Sequence, residues 1–185
     1  MTGEKVPKAV EGASERERCY SCSIGMNNVI RARVAEIPSD FLKQVRSEGR
    51  DALGQQVKRV IAEGGEPCRD VLRRATKGEE LILASFSPFE KPGPYHEYGP
   101  IFVLANETAE DIDRQIVPAG ADGNYLQQRF AIRAYSENEE ILDAALVEPA
   151  EAQETVDRFL ARNDTAFLHV RFPSYGCFAC RLDRP

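Results

Sequence analysis

The sequence predicts an α+β fold: a single domain with a central, mostly antiparallel sheet and two to four flanking helices. Three observations carry that expectation. Segments of strand character outnumber helical ones and often follow one another directly, whereas a doubly wound fold would alternate the two. The 185 residues fit one domain, for which about 100–200 is usual. The composition, 42% hydrophobic and 29% charged, is that of a chain able to bury its own core without disulfides or a structural metal.

Residues 1–26 are rich in Glu, Lys, Arg, Gly and Ser without apolar periodicity, and read as a mobile tail ahead of a domain over 27–185. The run 29–36 (VIRARVAE) alternates apolar and polar residues and predicts a strand. Pro38-Ser39-Asp40 opens a short helix over 41–46, with Ser39 or Asp40 as its N-cap. The run 56–62 (QVKRVIA) fits strand or helix, and Gly64-Gly65 ends it. Residues 68–73 read as a short strand, and 80–87 (ELILASFS) as a strand buried on both faces.

The stretch 87–100 (SPFEKPGPYHEYGP) is a loop, because Pro cannot donate a ladder hydrogen bond and Gly favours turns. A strand follows at 101–105. Acidic residues ahead of Ile112 and Ile116 predict a helix over 108–116, and 118–123 a turn. In 128–135 (QRFAIRAY), Phe130, Ile132 and Ala134 share one face of a strand; Ala131, Arg133 and Tyr135 share the other. Residues 141–147 are its partner. The helix over 149–162 has an apolar stripe of Val156, Phe159 and Leu160. The strands 166–172 (AFLHVRF) and 177–183 (CFACRLD), joined by a turn, complete the chain.

Charge and hydropathy narrow the function. A net charge of −6 with no basic run argues against a nucleic-acid partner. The apolar runs are too short to span a bilayer, which argues against a membrane role. The N-terminus lacks the apolar core of a signal peptide, so a cytoplasmic, reducing location is expected. Five cysteines fit poorly with a closed disulfide framework.

Cys19 and Cys22, with Cys177 and Cys180, form two C-x-x-C pairs, enough thiolates for a tetrahedral zinc site. Against zinc, the pairs lie at opposite ends of the chain, and strand alternation sends Cys177 and Cys180 to opposite faces. A redox dithiol at Cys19 and Cys22 lacks the following helix that would lower a thiol pKa. Cys68 stands alone beside Arg69, as a small core residue or as a thiol that the cation activates. A thiol- or His-dependent enzyme would pair Cys68 or Cys177 with His169.

The preferred constellation is different. Arg133, His169 and Arg171 occupy strand positions opposite apolar rows, facing solvent or a groove. With Tyr95, His96 and the 87–100 loop they would form a small anion pocket, since guanidinium binds carboxylate or phosphate bidentately. The protein would then be a binding module for a small anionic metabolite or a protein partner. The plainer alternative is two salt-bridged surface arginines. No phosphate-binding Gly loop, HExxH or GxSxG motif is present.

Glu66-Pro67-Cys68-Arg69, Pro94-Tyr95, Gly99-Pro100-Ile101-Phe102-Val103, Arg133-Ala134-Tyr135, His169-Val170-Arg171 and the segment from Gly176-Cys177-Phe178 to Arg181 form an ordered set. In this order they resemble the bacterial domain-of-unknown-function family 1203, over residues 29–184. The resemblance implies one domain and a bacterial, cytosolic origin, and no activity. Cys19, Cys22 and Cys180 fall outside the family's pattern.

Overall fold

A computed structural model describes residues 29–120 and 124–184 of the protein. The expected tail, Cys19, Cys22 and part of the 118–123 turn lie outside the described residues. The strands are β1 (Val29–Arg31), β2 (Arg33–Val34), β3 (Lys58–Ile61), β4 (Pro67–Cys68), β5 (Arg73–Arg74), β6 (Glu80–Phe86), β7 (Gly99–Leu104), β8 (Ile116–Pro118), β9 (Phe130–Tyr135), β10 (Ile141–Val147), β11 (Phe167–Arg171) and β12 (Phe178–Asp183). The helices are α1 (Ser39–Lys43), continued by a π-turn over Gln44–Glu48, and α2 (Ala152–Leu160), entered through a 3-10 turn at Pro149–Glu151.

The content is α+β, but the expected single central sheet is two. One five-stranded sheet runs β3-β6-β7-β4-β5 and the other β10-β9-β11-β12-β2, with β1 and β8 as a separate antiparallel pair. Only the β4–β7 pairing is parallel among the described strands. Alternation along one strand reports its faces and not its neighbours, so the division into sheets was hidden from it.

Sequence explains each layer. On the second sheet, Ile132 and Ala134 of β9, Leu168 and Val170 of β11 and Leu182 of β12 form one apolar face. The buried stripe of α2, Ala152, Val156 and Phe159, joins the same core. The sheets meet where Ile82, Ala84, Phe86, Ile101 and Val103 pack with Phe41 and Phe178. The rings of Phe41 and Phe86 are 4.9 Å apart and those of Phe86 and Phe178 5.8 Å, each pair contributing about 0.5–1.5 kcal/mol beyond area burial.

Four local expectations change. Residues 29–36 split at Ala32, so that β1 pairs with β8 and β2 with β12. Helix α1 begins at Ser39 with Pro38 at the cap position and no side-chain cap, displacing Ser39 and Asp40 from that role. Residues 68–73 turn back on themselves: Pro67 pairs with Arg74 and Cys68 with Arg73, and Leu72 takes the left-handed conformation at φ 51°. No helix forms over 108–116. Thr108 Oγ1 accepts the Glu110 N–H at 3.1 Å and Asp113 Oδ1 the Gln115 N–H at 2.8 Å, local bonds that compete with a helix. The ambiguous 56–62 run contains β3.

Candidate functional site

The segment around β4 and β5 builds one wall of a cleft. The Glu66 carboxylate accepts the backbone N–H groups of Glu63 at 2.8 Å and Gly64 at 3.0 Å, which bends the chain ahead of β4. Gly64 and Gly65 take φ of 109° and 96°, a region closed to residues with a side chain. Beyond the bend, Arg69 is only 3% exposed. Its Nε donates to Phe178 O at 3.0 Å and its Nη1 to Pro67 O at 2.6 Å. Arg74 is held the same way, Nε donating to Tyr125 O at 3.0 Å and Nη1 to Gly65 O at 2.9 Å. The Tyr125 hydroxyl is buried and donates to Ala179 O at 2.8 Å, so the carbonyl that receives Arg74 sits on a fixed frame.

Both guanidiniums lie against one ring: their central carbons are 5.2 Å (Arg69) and 4.9 Å (Arg74) from the centroid of Phe172. Backbone carbonyls satisfy two nitrogens of each, and neither Arg pairs with a carboxylate among the described residues. The Nη2 of each is left without a protein partner there. Burial lowers the Arg74 pKa, and the Arg69 charge acts in the same direction. Two uncompensated cations on one aromatic ring favour an anion bound between protein and solvent.

They open into a cleft of about 680 Å³, within the roughly 300–1,000 Å³ of small-molecule sites. Leu83, Phe102, Leu126 and Phe130 supply apolar wall, and Gln127 and Gln128 amides. Glu63 and Glu66 stand on one side. Tyr175, 88% exposed, and Cys177 stand on the turn between β11 and β12. Arg129 also lines the cleft, but its Nε is 2.7 Å from a Glu148 carboxylate oxygen.

The other predicted residues fall elsewhere. Arg133, His169 and Arg171 do share a face of the second sheet, with Arg133 and His169 in register. That face does not look on solvent: His169 is 0% and Arg171 4% exposed. The reason is the Pro-rich loop, which folds over it. Phe89 lies 5.0 Å from the His169 ring, and Tyr135, Phe167 and Phe178 stand at 4.8, 5.0 and 5.2 Å. Neither ring nitrogen has a hydrogen-bond partner. Burial holds the His169 pKa well below its usual value, and the charges of Arg171, Arg181 and Arg133 add to the effect. His169 is therefore neutral near pH 7. Arg171 donates from Nη1 to Gly176 O at 3.0 Å and pairs with Glu97.

Tyr95 is half-exposed, and His96 braces the loop from within. Its Nδ1 donates to Lys91 O at 2.9 Å, and its Nε2 is 3.3 Å from Ser87 Oγ. Neither residue is brought against His169. No Cys–His pair forms either: the hydrogen-bond partner of Cys68 is Glu66 O and that of Cys177 is Tyr175 O. Burial, followed by the Asp70 charge, pushes the Cys68 thiol up to about 12, and the Arg69 charge offsets this only in part. Cys180 is likewise buried, at about 12. Cys177 lines the cleft while Cys180 packs in the core, so the two do not present sulfur to one metal. Among the described residues no group of three or more His, Cys, Asp or Glu could hold a metal ion. No helix among them is long and apolar enough to cross a membrane.

Sequence reasoning noticed Arg69 only as a neighbour of Cys68 and missed Arg74 and Phe172. The one local signal was cations within and beside very short strands; their meeting on Phe172 joins segments about a hundred residues apart.

No curated protein and no solved structure matches the chain. A family model does, over residues 65–184, a span that takes in Arg69, Arg74, Phe172 and Cys177 of the cleft as well as Arg133, His169 and Arg171. The chain belongs to the family described as protein of unknown function (DUF1203).

Proposed function

We propose that the protein is a binding module for a small organic anion, a carboxylate or phosphate ester with an apolar body, held in the Arg69–Arg74–Phe172 cleft. One observation carries the proposal: two guanidiniums fixed by backbone carbonyls, with no acidic partner among the described residues, opening into a cleft with apolar walls. In a chain of net charge −6, a buried Arg69 and a half-buried Arg74 without counter-charge are costly unless a ligand supplies it. The apolar wall would bury the ligand's body while the two free Nη2 groups take its charge. The cleft shows no nucleophile paired with a base, which favours binding over catalysis.

The test is calorimetric titration with a panel of dicarboxylates and phosphate monoesters, on the wild-type protein and on Arg74→Gln. Gln keeps a donor near Tyr125 O and Gly65 O and removes the charge. The expected loss is about 10- to 100-fold in affinity, from one charge-assisted contact. Equal affinity in the two proteins, or no binding by any member of the panel at millimolar concentration, overturns the proposal.

A further inference from the structure

The covered face of β9, β11 and β12 holds charge that the cleft does not use. Three guanidiniums, Arg133, Arg171 and Arg181, act on His169. Two carboxylates answer them: Glu97 pairs with Arg171, and Asp183 with Arg181 at 2.8 Å. Arg133 pairs with no carboxylate among the described residues, so this face carries one surplus positive charge. The buried donors are also incompletely used. Arg171 Nε and both His169 ring nitrogens are buried without a partner. Such atoms are costly when left unmatched, and they mark places where a ligand or solvent belongs.

The carboxylate on Arg171 is not part of the sheet. It is brought by the loop, which is held by contacts of its own. The Glu139 carboxylate accepts the N–H groups of Glu90 at 3.0 Å and Lys91 at 2.9 Å, and Phe89 enters a small cluster with Tyr135 and Phe167. A cavity of about 240 Å³ lies at the foot of the loop, lined by Arg69, Glu36, Glu90 and Asp183 as well as by Phe89, Phe178 and Arg181. The last three side chains also touch or charge the His169 surroundings.

We propose that this face is a second anion site, centred on Arg171 rather than on Arg69 and Arg74, which takes a small monocarboxylate in exchange for the Glu97 carboxylate. Glu97 stands where the ligand's carboxylate goes, and the structure is the closed form. The ligand carries one negative charge, matching what Glu97 withdraws, and a short apolar tail that would take the place of Phe89 beside Tyr135 and His169 once the loop lifts. Nothing is bonded covalently; one carboxylate replaces another on Arg171, the net charge of the face is unchanged, and the Arg133 charge attracts whichever carboxylate is in place. Because Glu97 competes from within, the apparent affinity of the wild-type protein is lowered by the fraction of time the loop is shut.

The presence of only two histidines makes the test direct. Ring-nitrogen NMR signals of the full chain are followed while acetate is added, with chloride at matched ionic strength as control and His96→Gln to assign the signals. In Glu97→Gln, acetate is expected to shift the His169 signals saturably, with a midpoint about tenfold lower than in wild type. Adding Arg133→Gln to that variant should raise the midpoint about tenfold again. Equal midpoints in wild type and Glu97→Gln, an identical response to chloride, a response confined to His96, or indifference to Arg133→Gln each overturns the proposal. Glu97 is half-exposed, so its replacement opens no core cavity, and the charge it leaves unpaired on the buried Arg171 is the one the added acetate takes up. Neither Arg69 nor Arg74 enters the experiment, so its failure leaves the cleft untouched.

Discussion

Two arginine-bearing regions of this protein differ in what answers their charge. In the cleft, Arg69 and Arg74 are held by main-chain carbonyls, which orient a guanidinium without neutralising it. Under the Pro-rich loop, Arg171 meets a carboxylate and the neighbouring His169 is roofed by aromatic rings. The first region is a cation left available; the second is a cation already engaged. Carbonyl-held arginine is thus the better mark of a site than arginine counted by strand position, because a carbonyl supplies geometry and leaves the charge to act outward.

The contrast breaks most readily at the thiols. Cys177 belongs to the open region, and Cys68 and Cys180 to the closed interior. Alkylation with iodoacetamide, mapped by peptide mass spectrometry, should label Cys177 at least about a thousandfold faster than the other two, which must wait for an opening of several kcal/mol. Comparable rates for the three would show that the interior is not closed. A smaller effect sharpens the closed side. His169 has a lowered pKa in the folded state, so below its usual 6.5 the unfolded chain takes up a proton that the folded protein refuses. Stability should then be constant above pH 6.5 and fall by up to about 1.4 kcal/mol per pH unit beneath it, read from urea midpoints. His169→Gln should flatten that limb; an unchanged limb would place the titration elsewhere.

The smallest effect belongs to the surface. Glu79 is held at about 2 by the Arg73 guanidinium, its Oε1 lying 2.7 Å from Nη2. With a depressed folded pKa, its contribution is complete above the ordinary value of 4.5 and is lost as pH falls toward 2. Both partners are partly exposed, so Glu79→Gln should cost under about 1 kcal/mol at pH 7 and nothing near pH 2. Thermal melts at the two pH values check it. A larger cost at pH 2 than at pH 7 would reverse the sign.

What could be read beforehand follows the range of the interactions. Strands β6, β9, β10 and β11 and helix α2 carry their periodicity in a few neighbouring residues, and each lies where the pattern puts it. The shared face of Arg133, His169 and Arg171 was legible for the same reason. Its closure was not, because Phe89 and Glu97 arrive from a loop some seventy residues earlier, and no pattern within β11 reports them. The turn at Leu72 escaped similarly. It is positioned by Asp70, whose carboxylate receives the Leu104 N–H and pairs with Arg46 at 2.8 Å. A Pro-Cys-Arg-Asp stretch carries no trace of partners on β7 and the π-turn.

Glu139 is the residue whose placement reaches furthest. It sits in the turn between β9 and β10 with φ 62°, a conformation costing a non-glycine residue on the order of 1–3 kcal/mol, and its carboxylate grips two N–H groups at the base of the Pro-rich loop. Glycine would relax that backbone and release the grip together. The roof over His169 is therefore moored to a hairpin tip rather than to the sheet it shelters, and in mechanical terms the β9–β10 hairpin is its lever.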